Sequence, residues 1–90
     1  MEKIRKFLKI YGQVQGVGFR YRANYAADSL GVTGWVRNEW DGTVEMEVQG
    51  TESQINQLLT LINKGTYVNI EEIKSRQLPV EENESGFHVR

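Results

Sequence analysis

Side chains in residues 5–11 alternate, with Leu8 and Ile10 on one side and Phe7, Lys9 and Tyr11 on the other. A period of two predicts a half-buried strand. The period then changes. Phe19, Ala23, Ala26, Ala27 and Leu30 recur at helical spacing, and Gly31 stands where a left-handed C-terminal cap belongs. Residues 32–40 return to an extended pattern, and Asp41-Gly42 is a turn dipeptide that predicts a hairpin into the next run. There Val44, Met46 and Val48 alternate with Glu45, Glu47 and Gln49, predicting one dry and one wet face, with Gly50 breaking the strand. Thr51 and Gln54 form a capping-box pair, with Glu52 in the first turn. Behind them Ile55, Leu58, Leu59 and Ile62 make an apolar stripe, and Gly65 is a stop. Residues 67–78 form a fourth extended run in which Val68 and Ile70 share one parity and Ile73 takes the other, predicting a bulge or break. Pro79 ends that run, residues 81–86 are a polar loop, and Phe87 and Val89 close the chain as a short strand.

The element order is β-α-β-β-α-β. It predicts an α+β, ferredoxin-like sandwich: an antiparallel sheet with two helices on one face. No internal repeat, linker or low-complexity segment interrupts it, so residues 1–90 are expected to form one domain, complete in itself. Many unrelated activities share this scaffold, so the architecture gives no function.

Composition narrows the choice. The hydrophobic share of 39% and charged share of 26% describe an ordinary globular balance rather than a disordered chain. A net charge of −1 argues against a sequence-blind nucleic-acid binder, which carries a basic face. There is no cysteine, which removes disulfides, a thiolate nucleophile and cysteine-rich zinc sites. The one histidine, His88, offers neither a triad nor a metal site. No metal and no cofactor are therefore expected. The charged N-terminus lacks an apolar stretch long enough for a signal or membrane helix, so a cytoplasmic protein without membrane contact is expected.

The candidate chemistry sits between the first strand and the first helix, in Gly12-Gln13-Val14-Gln15-Gly16-Val17-Gly18-Phe19-Arg20. Glycine accepts backbone angles closed to other residues and lets a ligand approach the amides. Where such a turn opens a helix, several N–H groups and the helix dipole favour an anion. Arg20 adds a planar fork suited to phosphate. As an ordinary surface residue it would sit badly there, since a cation at a helix N-terminus opposes the dipole. The pattern predicts an anion cradle with one arginine in its wall.

That loop resembles the signature of the acylphosphatases. A second signature of the family appears as Gly34-Trp35-Val36-Arg37-Asn38, followed by Asp41-Gly42-Thr43-Val44-Glu45, and the resemblance extends to Phe87-x-Val89-Arg90. It implies the ferredoxin-like fold and hydrolysis of the carboxyl-phosphate bond of acyl phosphates, by in-line water attack without metal. It makes Arg20 the catalytic arginine that grips the phosphate, and Asn38 the residue that positions the attacking water. Gln15, Gly16, Val17, Gly18 and Phe19 would bind phosphate mainly through their amides, with Val14 and Phe19 packing into the core. A small acyl phosphate is the implied substrate, inorganic phosphate the product and inhibitor, and a monomer the expected unit. One departure stands out: a proline-containing turn common in the family is absent from Gly65-Thr66-Tyr67-Val68.

Two other readings compete. A phosphate- or acylphosphate-binding module without turnover would keep the cradle and fail to hydrolyse a simple acyl phosphate. A nucleic-acid-binding ferredoxin-like domain would use open-face aromatics such as Phe7, Tyr11 and Trp35, and would shift labelled RNA in a salt-dependent way. Asn38 has a plainer reading too, as a residue satisfying backbone near a hairpin end. Parity places Arg37 and Glu39 opposite Asn38, away from the site. Glu45, Glu47, Glu71, Glu72, Glu81, Glu82 and Glu84 read as solvated faces, and Trp35, Trp40, Phe7, Tyr11, Tyr21 and Tyr25 mostly as packing.

Overall fold

The computed structural model describes residues 2–90. The elements run β1 (Lys3–Gln13), α1 (Phe19–Leu30), β2 (Thr33–Asn38), β3 (Val44–Thr51), α2 (Glu52–Asn63), β4 (Asn69–Leu78) and β5 (Phe87–Val89). The five strands form one sheet in the order β4-β1-β3-β2-β5. Four of them pair antiparallel, as the element order predicts, and β5 joins the edge parallel to β2, with Trp35 opposite His88. The sheet is therefore mixed. Both helices lie on one face, α1 against β2 and β5, α2 against β3 and α1. No helix among the described residues is long and apolar enough to cross a membrane.

The core follows the two periods. Leu8 and Ile10 of β1, Val36 of β2, and Val44, Met46 and Val48 of β3 face Phe19, Ala23, Ala26 and Ala27 of α1 and Ile55, Leu58 and Ile62 of α2, all buried. Each large apolar side chain removed from water stabilises by about 1.5–3 kcal/mol before entropy is counted. Gly31 caps α1 in the left-handed conformation and donates to the Ala27 carbonyl. The bulge falls where parity changes: Tyr11 pairs with Glu72 and Gly12 with Ile70, leaving Glu71 as the extra residue.

Some expectations give way. Gly50 does not break β3, which runs on to Thr51, because Gly50 still pairs with Ile4 of β1. Strand β2 ends at Asn38 rather than Trp40, and Trp40 is 96% exposed on the hairpin loop. Tyr21 and Tyr25 are also largely exposed rather than packed. The uncovered face of the sheet is not simply wet, for Arg5 and Gln49 are only 3% and 2% exposed there. Loop 81–84 folds over them. Glu84 takes two hydrogen bonds from the Arg5 guanidinium, at 2.7 and 3.0 Å, and Glu47 takes a third at 2.9 Å. The Gln49 amide exchanges hydrogen bonds with the Glu81 backbone in both directions. Burial works against charge on Glu84, but the Arg5 hydrogen bonds outweigh it and hold the carboxyl below its usual range. Glu47 and Glu84 are thus partners of a buried cation rather than parts of a solvated face.

Candidate active site

The loop between β1 and α1 turns on Gly16 at φ 70° and Gly18 at φ 79°. Both conformations are left-handed, and a Cβ built at either glycine meets nothing within 4 Å. The backbone angle therefore requires glycine there, while the space beside each stays open. Gly18 is also the N-cap of α1. No side chain caps this helix start and no acidic residue lies in its first turn, so its leading N–H groups have no side-chain acceptor. Beside this helix start lies a cavity of about 170 Å³ lined by Val14, Gly16, Gly18, Phe19, Arg20, Tyr21 and Asn38.

Arg20 stands at the second position of α1, where the dipole disfavours a cation. Its Nη1 donates to the Arg90 carbonyl at 3.1 Å, which fixes one side of the guanidinium. Arg90 is held in turn by its N–H bond to Val36 at 2.8 Å. The chain segment paired with β2 thus holds one side of the guanidinium of this cavity-lining arginine.

Asn38 is the last residue of β2, paired with Val44. Its amide oxygen is buried and has no hydrogen-bond partner among the described residues. Leaving an acceptor buried and unpaired costs about 1–3 kcal/mol, so such a group is normally supplied with a donor. The cavity is where this one could find it.

The loop after Asn38 is longer than a two-residue turn. The Glu39 N–H donates to Thr43 O at 2.9 Å, and Asp41 accepts from both the Thr43 hydroxyl and the Thr43 N–H, at 2.6 and 3.0 Å. Those Thr43 hydrogen bonds, with Lys9 nearby, draw the Asp41 carboxyl down to about 2. Gln15 then ties this loop to the glycine turn. Its Nε2 donates to Glu39 O at 2.6 Å and to Thr43 O at 2.9 Å. Sequence reasoning gives Gln15 mainly a backbone role and misses this side-chain brace, since nothing in the chain pattern pairs it with a loop 24 residues away.

Of the residues singled out from the sequence, Gly16, Gly18, Phe19, Arg20 and Asn38 meet at one cavity. Gln15 and Val17 do not line it: Gln15 braces from behind, and Val17 faces the neighbouring surface. The Phe19 side chain belongs to the core, as does Val14. Arg37 points away, bound to Glu39 and Glu45 at 2.7 and 3.0 Å and stacked on Trp35. Among the described residues no group of three His, Asp or Glu side chains is placed to hold a metal ion.

The acylphosphatase family model matches residues 6–89. An acylphosphatase of Clostridium acetobutylicum is 42% identical over 86 residues, 94% of each chain. Among solved structures, the acylphosphatase from Bacillus subtilis superposes with a TM-score of 0.87 at 28% identity, over 97% of this chain and 98% of that one. An acylphosphatase from Coxiella burnetii gives 0.86 at 30% identity, over 98% and 93%.

Proposed function

The chain belongs to the acylphosphatase family, enzymes that act on small acyl phosphates, and from that premise we propose that the cavity between Gly16, Arg20 and Asn38 is where this protein hydrolyses them. The observation that carries the proposal is the buried, unpartnered amide oxygen of Asn38 at the wall of an uncapped, arginine-flanked helix start.

The chemistry asks for little else. Attack at phosphorus expels a carboxylate, whose conjugate acid has a pKa of about 4, so no general acid is needed. The transition state is loose and needs little activation of the nucleophile. What remains is positioning and charge stabilisation. The phosphoryl oxygens lie against the leading amides of α1, and Arg20 donates to them with the half of its guanidinium that Arg90 leaves free. Asn38 accepts one hydrogen from the attacking water and directs its lone pair at phosphorus. A phosphoryl oxygen takes the proton the water loses. An alkyl phosphate monoester, whose alkoxide leaves poorly, should be turned over far more slowly.

The competing readings have less support. The flat faces of Phe7, Tyr11 and Trp35 that a nucleic acid would stack on already carry Arg76, Lys74 and the pair Arg37 and Arg90. A module that only binds phosphate gives no reason for an unpaired amide oxygen beside the anion. The deciding experiment follows release of phosphate from acetyl phosphate, with added inorganic phosphate as inhibitor. Turnover with competitive inhibition supports the proposal. Phosphate binding without turnover would leave a binding module.

A further inference from the structure

A second concavity, of about 510 Å³, opens beside the cradle, and Gly18 and Tyr21 wall both. Tyr25, one turn further along α1, continues its side, and Tyr67, in the loop after α2, faces them. Arg22, itself exposed, also lines it, its Nη1 donating to the Leu61 carbonyl at 3.3 Å and its stem lying against Gly65. The three tyrosines are 77%, 74% and 73% exposed. A single exposed aromatic needs no explanation, but three around one trough at the edge of a reaction site do.

We infer that this trough is the acyl subsite and that Tyr21, Tyr25 and Tyr67 select substrates whose acyl group is a planar aromatic. The inference rests on the cradle reading above. Size is the first argument: at about 170 Å³ the cradle is smaller than the ~300–1,000 Å³ of ordinary small-molecule sites, whereas the adjoining trough falls within that range. Direction is the second. In-line displacement puts the water and the departing carboxylate on opposite sides of phosphorus. Asn38 lines the cradle and not the trough, so a water held by Asn38 leaves the trough side to the acyl group. Chemistry is the third. The trough is walled by phenol rings and the planar Arg22 cation, surfaces on which an aromatic ring stacks, and no carboxylate lines it to repel an anionic substrate.

The test compares kcat/KM for 1-naphthoyl phosphate and acetyl phosphate in the parent protein, in the double variant Tyr25→Ala/Tyr67→Ala, and in Tyr25→Phe/Tyr67→Phe. Two lost aromatic contacts correspond to about a tenfold fall on naphthoyl phosphate, through KM, while acetyl phosphate stays within about twofold. The Phe variant keeps the rings and should keep the preference. An equal loss on both substrates, or no loss on either, overturns the inference. Arg20→Lys assayed on acetyl phosphate keeps the two readings apart: normal activity there would remove the cradle itself, whatever the tyrosine variants do.

Discussion

The two twelve-residue helices begin in opposite ways. At α2 the start is capped from within the chain. The Thr51 hydroxyl accepts from the Gln54 N–H at 3.2 Å, the Gln54 side chain accepts from the Thr51 N–H at 2.8 Å, and Glu52 lies in the first turn for the dipole. At α1 the N-cap is a left-handed glycine, no side chain among the described residues caps it, and the first turn carries Arg20 instead of an acid. Positive charge meets the positive end of a dipole there, and an unpaired acceptor, Asn38, stands across the gap. One helix start is built for stability; the other is left incomplete in a way that a phosphoryl group and one water would complete.

Arg20→Lys should break the contrast most severely. Lysine keeps the charge but loses the planar fork, which reaches Arg90 with one side and, on the proposal above, the anion with the other. Loss of such a stabilising donor costs on the order of a hundredfold or more in kcat/KM. Circular dichroism should stay unchanged. A variant that keeps most activity would mean the anion is held elsewhere. Gly18→Val comes next. A Cβ has free space at this position, but valine must adopt φ near 79°, a strain of about 1–3 kcal/mol that the loop relieves by moving. The inhibition constant for inorganic phosphate should rise about tenfold, and near-normal affinity would place the cradle outside this turn.

Thr51→Ala strikes the complete helix start and should behave the other way. Losing the cap costs about 1 kcal/mol of unfolding free energy, read by chemical denaturation, with kinetics on acetyl phosphate within about twofold. A drop in turnover equal to that of a cradle variant would erase the distinction between the two starts. Asp41 belongs with Thr51, among groups satisfied internally. Its carboxyl lies at about 2 when folded against 3.8 for the free group, so its contribution is present above about pH 4 and lost as pH falls toward 2. In Asp41→Asn the thermal midpoint should therefore depend less on pH across that window, the smallest of these effects. An unchanged slope would remove Asp41 from the acid response.

Local chemistry explains how much of this was legible in the chain. The capping box at Thr51 and Gln54, the Gly31 cap and the parity change that marks the bulge are short-range patterns, and each appears where the sequence puts it. Arg5 and Glu84 are 79 residues apart, and a polar residue on a strand carries no sign that a distant partner will bury it. The Gln15 brace and the parallel seat of β5 are hidden for the same reason. Within the site, the glycine turn and Arg20 are conspicuous because they break local rules. Asn38 is ordinary from its surroundings alone, since a hairpin-end asparagine usually finds a backbone partner, and only the three-dimensional arrangement leaves its oxygen unpaired. Tyr67 belongs to the stretch that lacks the turn proline, and its place opposite α1 depends on how that loop folds back.

The central claim is that Asn38 acts on water and hardly on phosphate. Asn38→Ala, assayed on acetyl phosphate with inorganic phosphate as competitive inhibitor, separates the two directly. The turnover number should fall on the order of a hundredfold, as expected when one preorganised positioning group is lost, while the phosphate inhibition constant stays within about twofold. The thermal midpoint should hold, because the oxygen removed makes no hydrogen bond among the described residues. Phosphate binding weakened as much as turnover would make Asn38 an anion ligand, and unfolding of the variant would make it a structural residue. Either result would contradict the account.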